Sequence, residues 1–252
     1  MMFLSKSILL KSIIYQVVYL LAKFLKISPV IKRRFYYTRF AFIIPFKYIF
    51  LCRFGDAYTV ISAFTKRYYD IIKVPRNGVV LDIGSHIGTF TVRCVKKLKE
   101  GIVISIEPEP ENFRILLWNI LINRIQNVHA LPIALGSVHR RVKLYVHEFT
   151  GHSTIFPSQK YVEVLQLTLD TLRDKLNLPR IDLIKINAEG AELQILEKGE
   201  NTLKCTRALI IAAHHYPQQS HIIASFLKNM GFLAKDIQIK GNTLVIAVNR
   251  LL

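Results

Sequence analysis

An α/β fold is predicted here: a doubly wound, mostly parallel sheet with a C-terminal antiparallel hairpin, preceded by an amphipathic helical arm. Three observations carry that prediction. From about residue 79 short β-branched runs alternate with longer amphipathic ones, the pattern of strand–helix–strand units. The strand-like runs are continuously apolar, as expected of parallel strands buried on both faces. The chain then closes with two extended runs, "FLAKDIQIK" and "NTLVIAVN", joined at Gly241–Asn242, which signals a hairpin at a sheet edge.

The elements follow in order. "GVVLDIG" reads as a first buried strand, and "TFTVRCVKKLK" as a helix with Phe90, Val92, Val95 and Leu98 near one face. "GIVISIE" is a second buried strand. "PENFRILLWNILINR" is a second helix, opened by Pro110 and Glu111 as helix N-termini prefer. "VHALPIAL" reads as a third strand. "RRVKLYVHE" and "KYVEVLQLTL" are extended segments flanking the loop "FTGHSTIFPSQ". Then "IDLIKIN" (strand), "AELQILEKGENTL" (helix), "RALIIAAHH" (strand) and "SHIIASFLKNMG" (helix) resume the alternation. With right-handed crossovers this is a Rossmann-like sheet with helices on both faces. Residues 31–78 read as mixed strands and turns, punctuated by Pro45, Gly55 and Pro75. The chain divides into an arm over residues 1–40 and one α/β domain over residues 41–252.

Composition narrows the class. At 252 residues with 51% apolar content the chain can bury a substantial core. It shows no internal repeat and no low-complexity segment. Cys52, Cys94 and Cys205 are odd in number and form no CxxC pair, which argues against a zinc site and a disulfide framework. No metal is expected, and a cytoplasmic setting fits.

The net charge of +18 is uneven: residues 1–78 hold 14 Lys and Arg against Asp56 and Asp70, a balance of +12. A polyanionic neighbour for the N-terminal part follows, lipid headgroups or nucleic acid; the neutral alternative is a solvated basic face. In "SILLKSIIYQVVYLLAKFLKI", residues 7–27, Lys11, Ser12, Gln16, Lys23 and Lys26 share one helical side. Leu9, Leu10, Ile13, Val17, Leu20, Leu21 and Phe24 share the other. That is the pattern of a helix lying in a membrane interface, and residues 1–34 are expected to meet an anionic membrane surface peripherally. Packing of this face on the protein's own core or a second subunit is the alternative.

The chemistry starts at "VVLDIGSHIGTF", residues 79–90. Asp82-x-Gly84-x-x-x-Gly88 lacks the tighter glycine spacing of the dinucleotide fingerprint. Asp82 would repel a pyrophosphate and welcome an amino-acid ammonium. The second strand ends in Glu107, placed to accept both hydroxyls of an adenosine ribose. An acid after each of the first two strands, with glycines between, fits S-adenosyl-L-methionine as the cofactor. Helix capping by Asp82 and a surface position for Glu107 are the structural alternatives.

"LDIGSHIGTF", "IEPEPENFRILLWNI", "IALGS", "LTLDTL" and "IDLIKINAEGAELQILEKG" resemble the FkbM-type methyltransferases from about Phe54 onward. The resemblance implies a class I, S-adenosylmethionine-dependent enzyme, many such enzymes being O-methyltransferases of sugar or natural-product hydroxyls. It adds cofactor contacts at Gly84, Ser85, His86, Gly88, Pro108, Ala134 and Leu135, with His152 or Ser153 from the intervening loop. Three departures stand out: Asn187 where the family usually has Asp, Ser137 in place of a common acid, and Ala212–Ala213 before His214.

Glu189 is the foremost polar candidate for the active site, a helix N-terminal acid being the alternative. Lys185 and Asn187 share a strand side, and Lys185 either orients the acceptor or pairs with a buried carboxylate. His214 and His215 alternate along a strand, so at most one faces the cleft as a base. Arg140, Arg141 and Lys143 read as a solvated strand face. The expected reaction is O-methylation of a hydroxyl on a saccharide, lipid-linked glycan or lipid headgroup. Two rivals are an RNA methyltransferase using the basic arm and a membrane-associated S-adenosylmethionine-binding protein without catalysis.

Overall fold

The computed structural model describes residues 39–44, 48–53, 56, 59–61, 63, 71–146, 153–154, 160–239 and 241–250; the predicted helical arm and His152 lie outside them. The described chain opens with an antiparallel hairpin, β1 (Arg39–Ile44) and β2 (Tyr48–Arg53). There follow β3 (Val79–Ile83), α1 (Thr89–Val95), β4 (Ile102–Ile106), α2 (Pro110–Ile122) and β5 (Val128–Leu131). Next come β6 (Ala134–Leu135), β7 (Arg140–Val146), β8 (Ser153–Thr154), β9 (Tyr161–Leu167) and α3 (Leu169–Lys175). The chain ends with β10 (Leu183–Ile186), α4 (Glu192–Glu197), α5 (Glu200–Lys204), β11 (Ala208–Ala212), α6 (Gln219–Asn229), β12 (Phe232–Ile239) and β13 (Asn242–Asn249).

Seven strands form the central sheet in the order β12-β13-β11-β10-β3-β4-β5. The five from β11 to β5 are parallel, and β13 and β12 add antiparallel to them. The chain builds outward from β3 through β4 to β5, then returns to lay β10 on the other side of β3. Strand order therefore reverses between β3 and β10, where open α/β sheets bind ligands. Strand alternation sends Leu81, Ile83, Ile184 and Ile186 to one core, shared with Ile195, Leu196, Ile223 and Leu227 of the helices. Val80, Leu183 and Ile210 go to the opposite core with Phe90, Cys94 and Val95 of α1. The predicted doubly wound sheet and C-terminal hairpin are both present. Ile239 pairs with Asn242 at the closed end of that hairpin.

A second sheet, β6-β9-β7-β8, stands over one end of the first. The run "VHALPIAL" therefore splits: Pro132 and Ile133 separate β5, in the large sheet, from β6, in the small one. Proline cannot donate to a ladder, and the chain changes sheets there. "AELQILEKGENTL" splits too, at Gly199. A Cβ at Gly199 would stand 2.6 Å from Leu169 Cδ2, so the close approach of α3 demands glycine there.

The "LTLD" stretch is a structural stitch. Thr168 caps α3 by accepting from Thr171 N (3.1 Å). Asp170 reaches across to α5, accepting from Thr202 N at 2.7 Å and Asn201 N at 3.2 Å. The β1–β2 hairpin is fastened differently. Asn119 of α2 accepts from Leu51 N (2.7 Å) and donates to Leu51 O (3.1 Å). Asn123 does the same to Ile49 at 3.1 and 2.6 Å. The two carboxamides satisfy the open edge of β2 as a neighbouring strand would.

Candidate active site

The carboxyl ends of β3, β4, β10 and β11, roofed by the small sheet, enclose a cavity of about 510 Å³. Most of the sequence-predicted site residues line it: Gly84, Ser85 and His86 of the first turn, Glu107 and Pro108, Ala134 and Leu135, Lys185, Asn187, Glu189 and His214.

The first turn is tightly determined. Gly84 has φ +70°, and a Cβ there would lie 1.8 Å from the Asn187 carbonyl oxygen. Any side chain would push β10 away from β3 at the switch point. Ser85 Oγ donates within the turn, to the Asp82 carbonyl at 2.8 Å. His86 takes φ +54° and its backbone N donates to Glu107 Oε2 at 2.7 Å.

Glu107 is held on both oxygens. Oε1 accepts from Glu109 N at 3.0 Å and from Asn112 Nδ2 at 3.4 Å. Burial pushes its carboxyl above the usual range, although His86 and these donors oppose that rise. Glu109 in turn caps α2, accepting from Glu111 N at 3.1 Å and Asn112 N at 2.6 Å.

Behind Glu107 lies a network that the sequence reading did not identify. Arg53, at the end of β2, donates through Nε to Asp56 Oδ2 (2.9 Å) and through Nη2 to Asn112 Oδ1 (2.5 Å). His86 Nε2 sits 3.4 Å from Asp56 Oδ1. Burial alone would raise the Asp56 carboxyl, but His86 and Arg53 together hold it well below the carboxylate range. Arg53 and Asp56 thus brace His86 and Asn112, two of the three residues that donate to Glu107. "CRFGD" carries the relevant Arg and Asp, yet nothing in sequence spacing brings them to Asn112.

Asp82 departs from its predicted role. It is fully buried and does not line the cavity. Its register partners across β10 and β4 are Lys185 and Ser105. Lys185 Nζ lies 2.9 Å from Asp82 Oδ1 and donates to Gly84 O at 2.7 Å. Thr91 Oγ1 donates to Asp82 Oδ2 at 2.5 Å. The carboxylate is consumed inside the sheet, so it fixes the turn and leaves no oxygen for a ligand ammonium. Lys185, though it borders the cavity, spends its charge on the same turn.

One further correction concerns Gly88. It faces Leu116 of α2, where a Cβ would come within 2.5 Å of Leu116 Cδ1; it gives α2 room and is not among the residues lining the cavity. Ser153 pairs its backbone with Val146 at the edge of the small sheet. Arg140, Arg141 and Lys143 are exposed, as a solvated strand face would be, and Arg140 and Lys143 also border the cavity that β7 roofs.

Beyond β10 the chain makes a strained turn, with Glu189 at φ +49° and Gly190 at φ +107°. Glu192, assigned no role from sequence, supports that turn. Its carboxylate accepts from Ala188 N (2.8 Å), Gly190 N (3.1 Å) and Gln219 Nε2 (2.6 Å). His215 bridges the two acids, Nδ1 at 3.5 Å from Glu189 Oε2 and Nε2 at 3.3 Å from Glu192 Oε1. Burial would lower the His215 pKa, but Glu192 and then Glu189 outweigh it and raise it. Glu192 is correspondingly lowered, its burial outweighed by His215 and the donated N–H groups. Both histidines lie past the end of β11, with rings stacked at 4.6 Å, and only His214 borders the cavity. Asn187 lines the cavity, while its Oδ1 atom is buried and has no hydrogen-bond partner among the described residues.

A family model described as the methyltransferase FkbM domain matches residues 82–234. The chain is similar to methyltransferase sdnD of Sordaria araneosa, 29% identical over 168 residues, covering 53% of this chain and 65% of that protein. It is also similar to methyltransferase 1 of Beauveria bassiana, 26% identical over 157 residues, covering 53% of this chain and 63% of that protein. The match thus spans slightly under two thirds of either relative. Among solved structures, M. jannaschii TYW2 in complex with AdoMet superposes with a TM-score of 0.50 at 16% identity, covering 84% of this chain and 85% of that one.

Proposed function

Since the family model matches residues 82–234, well over half of its length, the chain belongs to the methyltransferase FkbM domain family, and we propose that it methylates a hydroxyl oxygen of a saccharide, lipid-linked glycan or lipid headgroup. One observation carries the reading: the strand ends bring to the cavity oxygen atoms that accept hydrogen bonds. These are the Glu107 and Glu189 carboxylates. Hydroxyl groups are the donors such a set selects.

S-adenosylmethionine, when bound, would supply an electrophilic methyl group on a sulfonium leaving group. Glu107 fits the ribose diol, since it is fixed on both oxygens by α2 and the first turn yet borders the cavity. Gly84 leaves the backbone open beside it. Glu189 stands across the switch point to take the proton that the acceptor hydroxyl releases as its oxygen attacks. The roof residues exclude water over the reacting atoms.

Two measurements test this. Glu107→Gln keeps the shape but removes the charge, so calorimetry should show S-adenosylmethionine affinity about 10- to 100-fold weaker, the loss of one or two charge-assisted bonds. In the unmodified protein that affinity should fall on acidification, through a range above the ordinary glutamate pKa, because only the ionised carboxylate accepts both hydroxyls. Unchanged affinity in the variant removes the ribose assignment. Isotope-labelled methyl donor incubated with polar-lipid, saccharide and RNA fractions should label an ether in the first two. Label confined to RNA overturns the acceptor class.

A further inference from the structure

The outer face of α2 carries an apolar stripe that the catalytic reading does not use. Leu117, Trp118 and Leu121 are 45%, 42% and 65% exposed. With Arg114 they occupy positions i, i+3, i+4 and i+7, one continuous helical face. Ile115, Leu116 and Asn119 fill the buried face opposite, so the helix is apolar on both sides, and among the described residues it is the inner side that is packed. Arg114 and Arg124, both exposed, bracket the stripe along the chain. At its C-terminal end Lys96 joins them, Nζ donating to Asn123 O at 3.1 Å. Among the described residues neither Arg114 nor Arg124 has an ion-pair partner.

We infer that this face of α2 is an interface for an anionic lipid surface. Three residues of apolar area with flanking cations match a headgroup boundary, where an indole buries its ring and keeps its N–H in the polar layer. The stripe is too small to anchor the protein by itself, and stable association takes two signals. The second is on the same chain: residues 7–27, whose sequence has a basic and an apolar side. Both contacts then act together, the linkage raising the effective concentration of each.

Trp118 is the sole tryptophan of the chain, so its fluorescence reports on this face alone. The full-length protein is titrated with vesicles of phosphatidylcholine and of phosphatidylcholine with phosphatidylglycerol. The expected result is a blue shift and quenching by brominated acyl chains on the anionic vesicles only. Leu117→Ser with Leu121→Ser retains the reporter and should weaken partitioning about tenfold or more. Arg114→Gln with Arg124→Gln should weaken it about tenfold, at low salt most of all. Both pairs are solvent-exposed, so an unchanged thermal melt is expected beside the loss. Co-sedimentation with no shift in Trp118 emission means the arm binds alone, and overturns the assignment. So does a shift with RNA but not with vesicles. Emission already blue in the free protein, shielded from acrylamide, means that another protein surface covers the stripe, and it also overturns the inference.

Discussion

Lys185→Met is expected to cost about 3–5 kcal/mol of folding stability, the range for removing one partner of a buried ion pair. The side chains of Lys185 and Asp82 are 4% and 0% exposed, with Nζ 2.9 Å from Oδ1. Methionine matches the length of the stem and removes the ammonium with its charge and its N–H donors. Asp82 would then keep the Thr91 hydroxyl as its one side-chain donor, with a negative charge sealed in the centre of the sheet. The Gly84 carbonyl would lose its donor as well, loosening the turn that delivers His86 N to Glu107. Urea denaturation should show a lower midpoint with an unchanged slope, and cofactor affinity should fall with it. Pairing the change with Asp82→Asn should recover much of the stability, because the uncompensated charge is gone. A Lys185→Met protein with the original midpoint but no turnover would mean that the lysine serves the acceptor, the other role its sequence position allows.

That prediction also marks where the sequence was legible. "GVVLDIG" and "GIVISIE" read correctly as buried parallel strands, because continuous apolar runs bounded by glycine leave little else to form. Glu107 was readable for the same reason: a carboxylate at the end of the second strand has a fixed place relative to the first turn. Asp82 stands on the same kind of strand, yet its direction depends on register with Lys185, 103 residues further on, and with Ser105 on the other side. Register across parallel strands is set by packing of the whole sheet, and no local pattern encodes it. The Arg53–Asp56–His86 network is hidden for a related reason: the hairpin reaches it only by pairing with two asparagines of α2. Gly199 and Pro132 did announce breaks, but the apolar periodicity ran through both, and the period outweighed the punctuation.

Glu189→Gln, nearly isosteric, is expected to lower turnover by about 10²-fold or more on an acceptor identified by label transfer, with cofactor affinity little changed. The reason is the division of labour among Glu189, His215 and Glu192. His215 has a raised pKa because Glu192 and Glu189 flank it. It stands between the two acids behind the turn and does not border the cavity. Glu189 and His214 do border it, and Glu189 is the base we propose. The linkage signs follow. The stability contributed by the His215 charge is complete below its ordinary pKa and is lost as pH rises through the raised one. Glu192, lowered in the folded state, contributes above its ordinary pKa, and that part is lost as pH falls through the depressed value. The turn holding Glu189 should thus be firmest between the two, and His215→Gln should flatten the alkaline loss of stability while reducing turnover less than Glu189→Gln does. Asn187→Asp, which restores an acid, should leave cofactor affinity nearly unchanged and raise turnover or leave it as it was. Full activity in Glu189→Gln with loss only in His214→Gln would hand the proton to the cavity-facing histidine. Full activity in every one of these variants would mean that alignment of hydroxyl and sulfonium suffices, and that the oxygen atoms around the cavity bind but do not take the proton.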